Sequence, residues 1–364
     1  MHFEKPPVVI DNGSFDIKAG FACDNHPVSM FRTLVGRPNY LGGRYGREHY
    51  DVYIGDDATL LQLDLELNYP IVHGKIDHWD NMERIWHHIF YRELKVAPED
   101  RAVILACGVK SSMKEKIQCC EIFFETLNSP VLCIQPQAVL SLYGSGATTG
   151  VCVDIGHDST DIVPIYEGGI IKYAHIETGI AGFQISEYIQ KSLQERNIFN
   201  ENVSIEDIKK QYLYATPNCA MKIDKQLYIS ETGDVIDVSN EAIMGAEIIF
   251  QPKLFNDNNN NCHSLHETVR TSVLKCDAEL RTQLCDAIVL CGGSASVPGI
   301  CERLRIELQG TMDNTVTILS SVEPYAVAWL GGATFAGLPD AEKLWIQKKQ
   351  FEDYGEKIVK NKFM

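Results

Sequence analysis

Positive charge is scarce in this sequence. Among 364 residues, 33 lysines and arginines face 49 aspartates and glutamates, a formal net charge of -16. Binding along a nucleic-acid backbone takes concentrated Lys and Arg, and docking on an anionic membrane takes the same. Neither is expected as a direct partner. No apolar run approaches the ~18 residues that span a bilayer, so membrane insertion is not expected. CxxC pairs are missing as well: the twelve cysteines are scattered, and only Cys119 and Cys120 are adjacent. Residues 1–7 contain no apolar targeting core. The expectation is a reducing compartment, the cytoplasm or alternatively the nucleus, with free thiols.

What is present is enough apolar material for a core, 45% of the chain, and length for roughly two or three domains. Strand-like runs fall at residues 7–10, 102–106, 131–134, 150–153, 162–166 and 287–290. Helical periodicity falls at 80–94, where Met82, Ile85, Trp86, Ile89 and Phe90 form one stripe, and at 112–127, 184–195, 205–214, 265–276 and 299–308. Strands alternating with helices predict an α/β fold. Two polar or glycine-rich stretches, 41–50 and the asparagine run 256–261, read as surface loops.

One local pattern occurs twice. An apolar run enters Asp11, Asn12, Gly13 and Ser14, and a second enters Asp154, Ile155, Gly156, His157, Asp158, Ser159 and Thr160. Glycine lets a backbone approach a phosphate, and turn N–H groups then donate to its oxygens. Gly13 and Ser14 supply such donors in the first turn; Gly156, Asp158, Ser159 and Thr160 supply them in the second. Lys18 has the reach to neutralise a phosphate. Asp11 and Asp154 repel phosphate directly, so they make sense as partners of Mg²⁺ through its water shell. The repeat predicts two related halves divided near 140–150, with residues 137–144 as the bridging helix.

A third glycine turn, with Gly292, Gly293 and Ser294, follows a buried strand and opens a helix. Such a helix start suits an anion or a sugar. It is neither a Walker A loop nor a GxGxxG fingerprint. A lone Asp-x-Gly turn is most often only a hairpin; three glycine turns in this order favour polyphosphate binding.

With these residues in place, the chain resembles the actin family over nearly its whole length. The first turn with residues 18–21 resembles the family's first phosphate loop, and 32–38 the strand and turn after it. Residues 69–74, the tryptophan–histidine helix 79–94, and 137–146, 163–169, 266–268, 275–277, 329–332 and 345–348 carry the rest. The phosphate turns alone would also fit sugar kinases and chaperone ATPases; the helix 79–94 and the Trp345 tail are specific to actins. The resemblance implies an actin-like ATPase fold, two related α/β halves comprising four subdomains around a nucleotide cleft. It divides the chain into 1–143 with 334–364, and 144–333. It implies ATP or ADP with Mg²⁺ as cofactors. It also implies actin, actin-related proteins and actin-binding proteins as partners in the cytoskeleton.

The departures from the family pattern are informative. Phe15 stands where a small residue is usual and would narrow the space beside a terminal phosphate. His157 replaces an acidic residue near the metal waters, and neutral imidazole suits hard Mg²⁺ poorly. Gln137 matches the family's water-orienting glutamine, but its partner histidine position carries Asp161. A carboxylate there would accept a proton from water, yet it adds negative charge beside phosphate. Slow and actin-like hydrolysis both stay open. On the nucleoside side Lys209 matches and Lys210 replaces a glutamate. Gly182 is counted with the nucleotide contacts, and Tyr325 falls where a base-covering lysine is usual and would stack on adenine. The asparagine run stands where the family has an apolar plug, Arg44 and Arg47 alter the loop at 41–50, and the stretch 216–236 is shortened. Long filaments are therefore not expected.

Other signals have plainer readings. His78, His87 and His88 read as helix packing and Cys119 and Cys120 as core thiols, while Cys262 with His263 and His266 offers only one local cysteine to a zinc set. Residues 347–350 read as a solvated helix end. The expected function is an ATP-binding actin-related subunit of an assembly or complex with weak or no hydrolysis. The alternative is a filament-forming actin-like ATPase; a small-molecule kinase of the same fold ranks third.

Overall fold

The computed structural model describes residues 3–38, 52–200, 202–217, 224–255, 263–312 and 314–363. The expected loops at 41–50 and 256–261 lie outside the described residues, as do Cys262 and residues 218–223 of the shortened stretch. By packing, the chain forms two units, Met1–Gly144 with Ala326–Met364, and Ser145–Tyr325.

The first unit is built on a six-stranded sheet. Its order is Ile346–Gln347, Val131–Pro136, Ala102–Cys107, Val8–Asn12, Asp16–Phe21, Ser29–Arg32. Val8–Asn12 lies inside, parallel to Ala102–Cys107 and antiparallel to Asp16–Phe21. A strand covered on both faces reads as a continuous apolar run, and Val8, Val9 and Ile10 are fully buried.

Two helices differ from their predicted form. Trp79–His88 buries Met82, Ile85 and Trp86 as the stripe predicts, but its last turn, Ile89–Glu93, widens. There the Leu94 N–H reaches the Ile89 carbonyl at 2.8 Å, five residues back. Met113–Glu121 ends the same way, with the Leu127 N–H on the Ile122 carbonyl at 2.9 Å. Each wide turn lets two consecutive bulky residues face the core: Ile89 with Phe90, and Phe123 with Phe124.

The helix Gln137–Gly144 packs on Val327–Ala336 so closely that glycine is required. A Cβ on Gly331 would fall 1.7 Å from the Leu140 carbonyl oxygen, and one on Gly144 2.4 Å from that of Val327. Trp329 Nε1 donates to the Val9 carbonyl at 3.1 Å, pinning the second helix to the central strand. Residues 326–333 therefore pack with the first unit, whereas the sequence-based division assigned them to the second half.

The second unit repeats the local plan. Its sheet runs Gly169–Ile170, Thr160–Tyr166, Gly150–Ile155, Ile288–Cys291, Ile318–Ser320, and Ile176–Thr178 also pairs with Thr160–Tyr166. Gly150–Ile155 is antiparallel to the next strand and parallel to Ile288–Cys291. Each unit thus delivers an aspartate near the end of an inner strand. Asp11 is in register with Lys18 and Ala106, and Asp154 with Asp161 and Cys291.

Among the described residues every cysteine is a free thiol, and no helix is long and apolar enough to cross a membrane. Cys119 and Cys120 are buried. His87 stacks on Tyr91 with ring centroids 5.7 Å apart, His88 meets Glu93 at 3.0 Å, and His78 meets Asp77 at 3.4 Å. His266 stacks on Phe250.

Candidate functional site

In the first unit the site residues gather at the end of Val8–Asn12. Asp11 Oδ2 lies 3.3 Å from Lys18 Nζ, with the two side chains only 3% and 12% exposed. Gln137 Nε2 donates to Asp11 Oδ1 at 2.7 Å and to the Asn12 carbonyl at 3.1 Å. Trp86 Nε1 donates to Asn12 Oδ1 at 3.2 Å, so the tryptophan–histidine helix also fixes this strand end.

The turn itself demands glycine. A Cβ on Gly13 would fall 2.3 Å from the Asp16 carbonyl oxygen, and Lys18 Nζ is 3.6 Å from the same point. The ammonium therefore stands over the turn formed by Gly13, Ser14 and Phe15. Thr33, just past the strand Ser29–Arg32, holds that turn. Its hydroxyl donates to the Gly13 carbonyl at 2.7 Å, and its N–H to that of Phe15 at 2.9 Å. The Phe15 ring lies under the Arg32 guanidinium, 3.5 Å from it, a cation–π contact. Arg32 also meets Asp16 at 3.7 Å.

In the second unit, three predicted residues converge on a fourth, Gly182. A Cβ there would lie 2.8 Å from Ser294 Oγ, 3.1 Å from the Gly156 carbonyl oxygen and 3.1 Å from Lys209 Nζ. The Gly182 N–H donates to the Gly156 carbonyl at 2.9 Å, and Ser294 Oγ donates to the same oxygen at 3.2 Å. Lys209 Nζ donates to the Gly182 carbonyl at 2.8 Å and to Ser186 Oγ at 3.2 Å. Gly182 opens the helix Gly182–Glu195, so these groups meet at a helix N-terminus, where partial positive charge accumulates.

The third glycine turn joins this group. Gly292 has φ +93°, and a Cβ on it would lie 2.4 Å from Asp154 Oδ1. No residue but glycine lets Cys291–Gly293 run this close to that carboxylate. The Gly292 N–H donates to the Pro324 carbonyl at 3.1 Å, which brings Tyr325 alongside. The Tyr325 hydroxyl donates to Glu323 at 2.8 Å, and that bond pushes its phenol above the ordinary value. Gly293 is exposed with open space around it.

The turn after Asp154 closes by the Gly156 N–H donating to the Ser159 carbonyl at 3.0 Å. The Phe183 N–H donates to the His157 carbonyl at 2.7 Å, and the His157 ring meets the Phe183 ring edge-on. His157 Nε2 is 3.8 Å from Asp158 Oδ1. Ser159 Oγ donates to Asp161 Oδ2 at 2.8 Å, and His175 Nε2 lies 2.7 Å from Asp161 Oδ1. An ionised carboxylate only accepts, so Nε2 is the protonated ring nitrogen.

Lys210 does not join either group. It is exposed on Ile205–Tyr212, and neighbouring helix positions diverge by about 100°. Gln137 belongs to the Asp11 group and Asp161 to the Ser159 and His175 group. Sequence reasoning missed His175, Ser186, Thr33 and Arg32. His175 is reachable only through strand pairing, because Ile176–Thr178 lies beside Thr160–Tyr166.

A family model described as Actin matches residues 3–212 and 199–364. The chain belongs to the actin family, and its two α/β units are those of the actin-like ATPase fold. It is an actin-like nucleotide-binding protein.

Proposed function

We propose that this protein binds ATP or ADP with Mg²⁺ and acts as an actin-related subunit of a cytoskeletal assembly or multiprotein complex, with slow hydrolysis. The observation that carries the reading is the convergence of Gly156, Lys209 and Ser294 on Gly182, with Gly292 pressed against Asp154. A Cβ would clash with the protein's own atoms at Gly13, at Gly182 and at Gly292, so glycine holds the three turns in these close approaches. In this reading the turn at 13–15 and the turn at 156–159 donate to phosphate oxygens. Lys18 offsets phosphate charge, and Asp11 and Asp154 are the carboxylates that hold Mg²⁺. When bound, the metal would draw charge from the phosphates. Lys209 and Tyr325 serve the nucleoside.

Slow hydrolysis follows from Asp161. In this reading its carboxylate adds negative charge beside the phosphates, which opposes a transition state already rich in it. A hydrolysing, filament-forming protein is the second reading, favoured by Gln137, whose amide is fixed by two hydrogen bonds beside Asp11. Cytoplasm and cytoskeleton are the proposed location, with actin-family and actin-binding proteins as partners.

Retention of a fluorescent ATP by the full chain, with and without EDTA, tests the cofactor. Loss of retention on chelation is expected, and retention indifferent to EDTA contradicts the assigned carboxylates. Phosphate release and pelleting with Mg·ATP separate the two readings. Robust pelleting with rapid phosphate release favours the second.

A further inference from the structure

Strand pairing around Asp161 lines up three acidic residues. Asp161 is opposite Asp154 on one neighbouring strand and opposite Glu177 on the other. Directly opposed residues share a face at close range, and like charges there are destabilising. His175 precedes Glu177 by two residues and so shares its side by the strand period of two. Its Nε2 meets Asp161 Oδ1 at 2.7 Å, and the pair is only 13% and 21% exposed, so solvent screens it incompletely. The second oxygen of Asp161 accepts from Ser159 Oγ.

We propose that His175 is a positioning residue for the second turn. It holds the Asp161 carboxylate, and through it the Ser159 hydroxyl, and thereby sets how well a triphosphate is taken relative to a diphosphate. The inference rests on the nucleotide reading above. In that reading residues 156–159 face phosphate, and Asp161 leaves the turn two residues on. A carboxylate at that place repels each added phosphate charge. A hydrogen bond from imidazole spreads and orients that charge, and the bond from Ser159 ties the turn to the same carboxylate. Both anchors are short, charge-assisted contacts of the stronger kind. Without His175, Oδ1 loses its donor, the carboxylate turns, and Ser159 turns with it.

Equilibrium binding of Mg·ATP and Mg·ADP to the full chain tests this in wild type, H175A, H175Q and the double variant H175A with D161N. H175A is expected to lose ATP affinity by about tenfold, with ADP affinity changed less than about twofold. H175Q, whose amide donates to the same oxygen, is expected to keep most of the ATP affinity. D161N in the H175A background is expected to restore it, because the unsupported charge is gone. Equal loss for both nucleotides, H175Q no better than H175A, or no rescue by D161N would overturn the proposal and leave His175 a packing residue. Wild-type protein that binds neither nucleotide would overturn the nucleotide reading and this inference together. Binding of both by wild type and H175A alike would overturn the inference alone.

Discussion

Lys18 Nζ stands 3.3 Å from Asp11 Oδ2, and both side chains are nearly shielded from water. Lysine and aspartate, assigned on sequence to phosphate and to metal, form an ion pair with each other. Asp11→Ala removes the carboxylate that meets Lys18 and one of the two acceptors of Gln137. An unpartnered buried ammonium costs about 3–5 kcal/mol. The expected outcome is a lower unfolding midpoint and loss of Mg²⁺-dependent nucleotide retention. Lys18→Met, which removes the cation at similar volume, should weaken retention with a smaller loss of stability. Differential scanning fluorimetry with and without Mg·ATP reads both.

Gly182 gives a sharper steric test. Gly182→Ala places a methyl 2.8 Å from Ser294 Oγ, while the nearby Gly179 has nothing within 4 Å of its Cβ position. Overpacking of this kind costs about 1–3 kcal/mol. Nucleotide affinity should fall in Gly182→Ala and hold in Gly179→Ala. Equal behaviour of the two variants in a titration with Mg·ATP would remove Gly182 from the site.

Much of this geometry was legible in the sequence. Two of the glycine turns rest on local contacts, at Gly13 with Asp16 and at Gly156 with Ser159, whereas Gly292 meets Asp154 from a distant strand. The central strands were legible from unbroken apolar runs such as Val8–Ile10. What could not be read depends on pairing between distant segments. His175 reaches Asp161 only because Ile176–Thr178 pairs with Thr160–Tyr166, and no periodicity announces that. Lys209 and Lys210 are adjacent in sequence and are both assigned from it to the nucleoside side, yet the helix turns one inward to Gly182 and leaves the other exposed. The wide turn at Ile89–Glu93 was also hidden, since an apolar pair fits an ordinary helix pattern equally well.

A buried ion pair stabilises the second unit away from the turns. Arg303 Nη1 and Nη2 meet the two oxygens of Glu247 at 2.9 and 2.8 Å. Arg303 Nη1 also donates to the Thr216 carbonyl. Glu247→Ala leaves the buried guanidinium with Glu307 alone, which accepts from its Nε at 2.8 Å, and should cost at most about 3–5 kcal/mol. Urea denaturation should show it. Joint replacement of both residues by apolar ones of similar volume should cost less, because no buried charge is then stranded and Glu307, which loses Arg303, is part-exposed.

The cysteines predict a dependence on alkaline pH. Burial pushes the Cys133 thiol up to about 12 and that of Cys285 to about 11, from 9.0. A thiol with a raised folded value contributes its full stability below the unfolded value, and loses it as pH rises through the folded one. Stability should therefore decline from about pH 9 towards 12. At pH 8, pulse alkylation read by mass spectrometry should label exposed Cys23 well before Cys133. Labelling of Cys133 at the rate of Cys23 would contradict the packing of the first sheet.

The central claim is that the two Asp-x-Gly turns serve an adenine nucleotide. The most direct measurement is heat release of bound small molecules from freshly purified full chain, followed by chromatography, in wild type and in Asp154→Ala. The prediction is ATP or ADP from wild type and a clear loss from Asp154→Ala. Wild-type protein that carries no adenine nucleotide and takes up none on addition of Mg·ATP would contradict it.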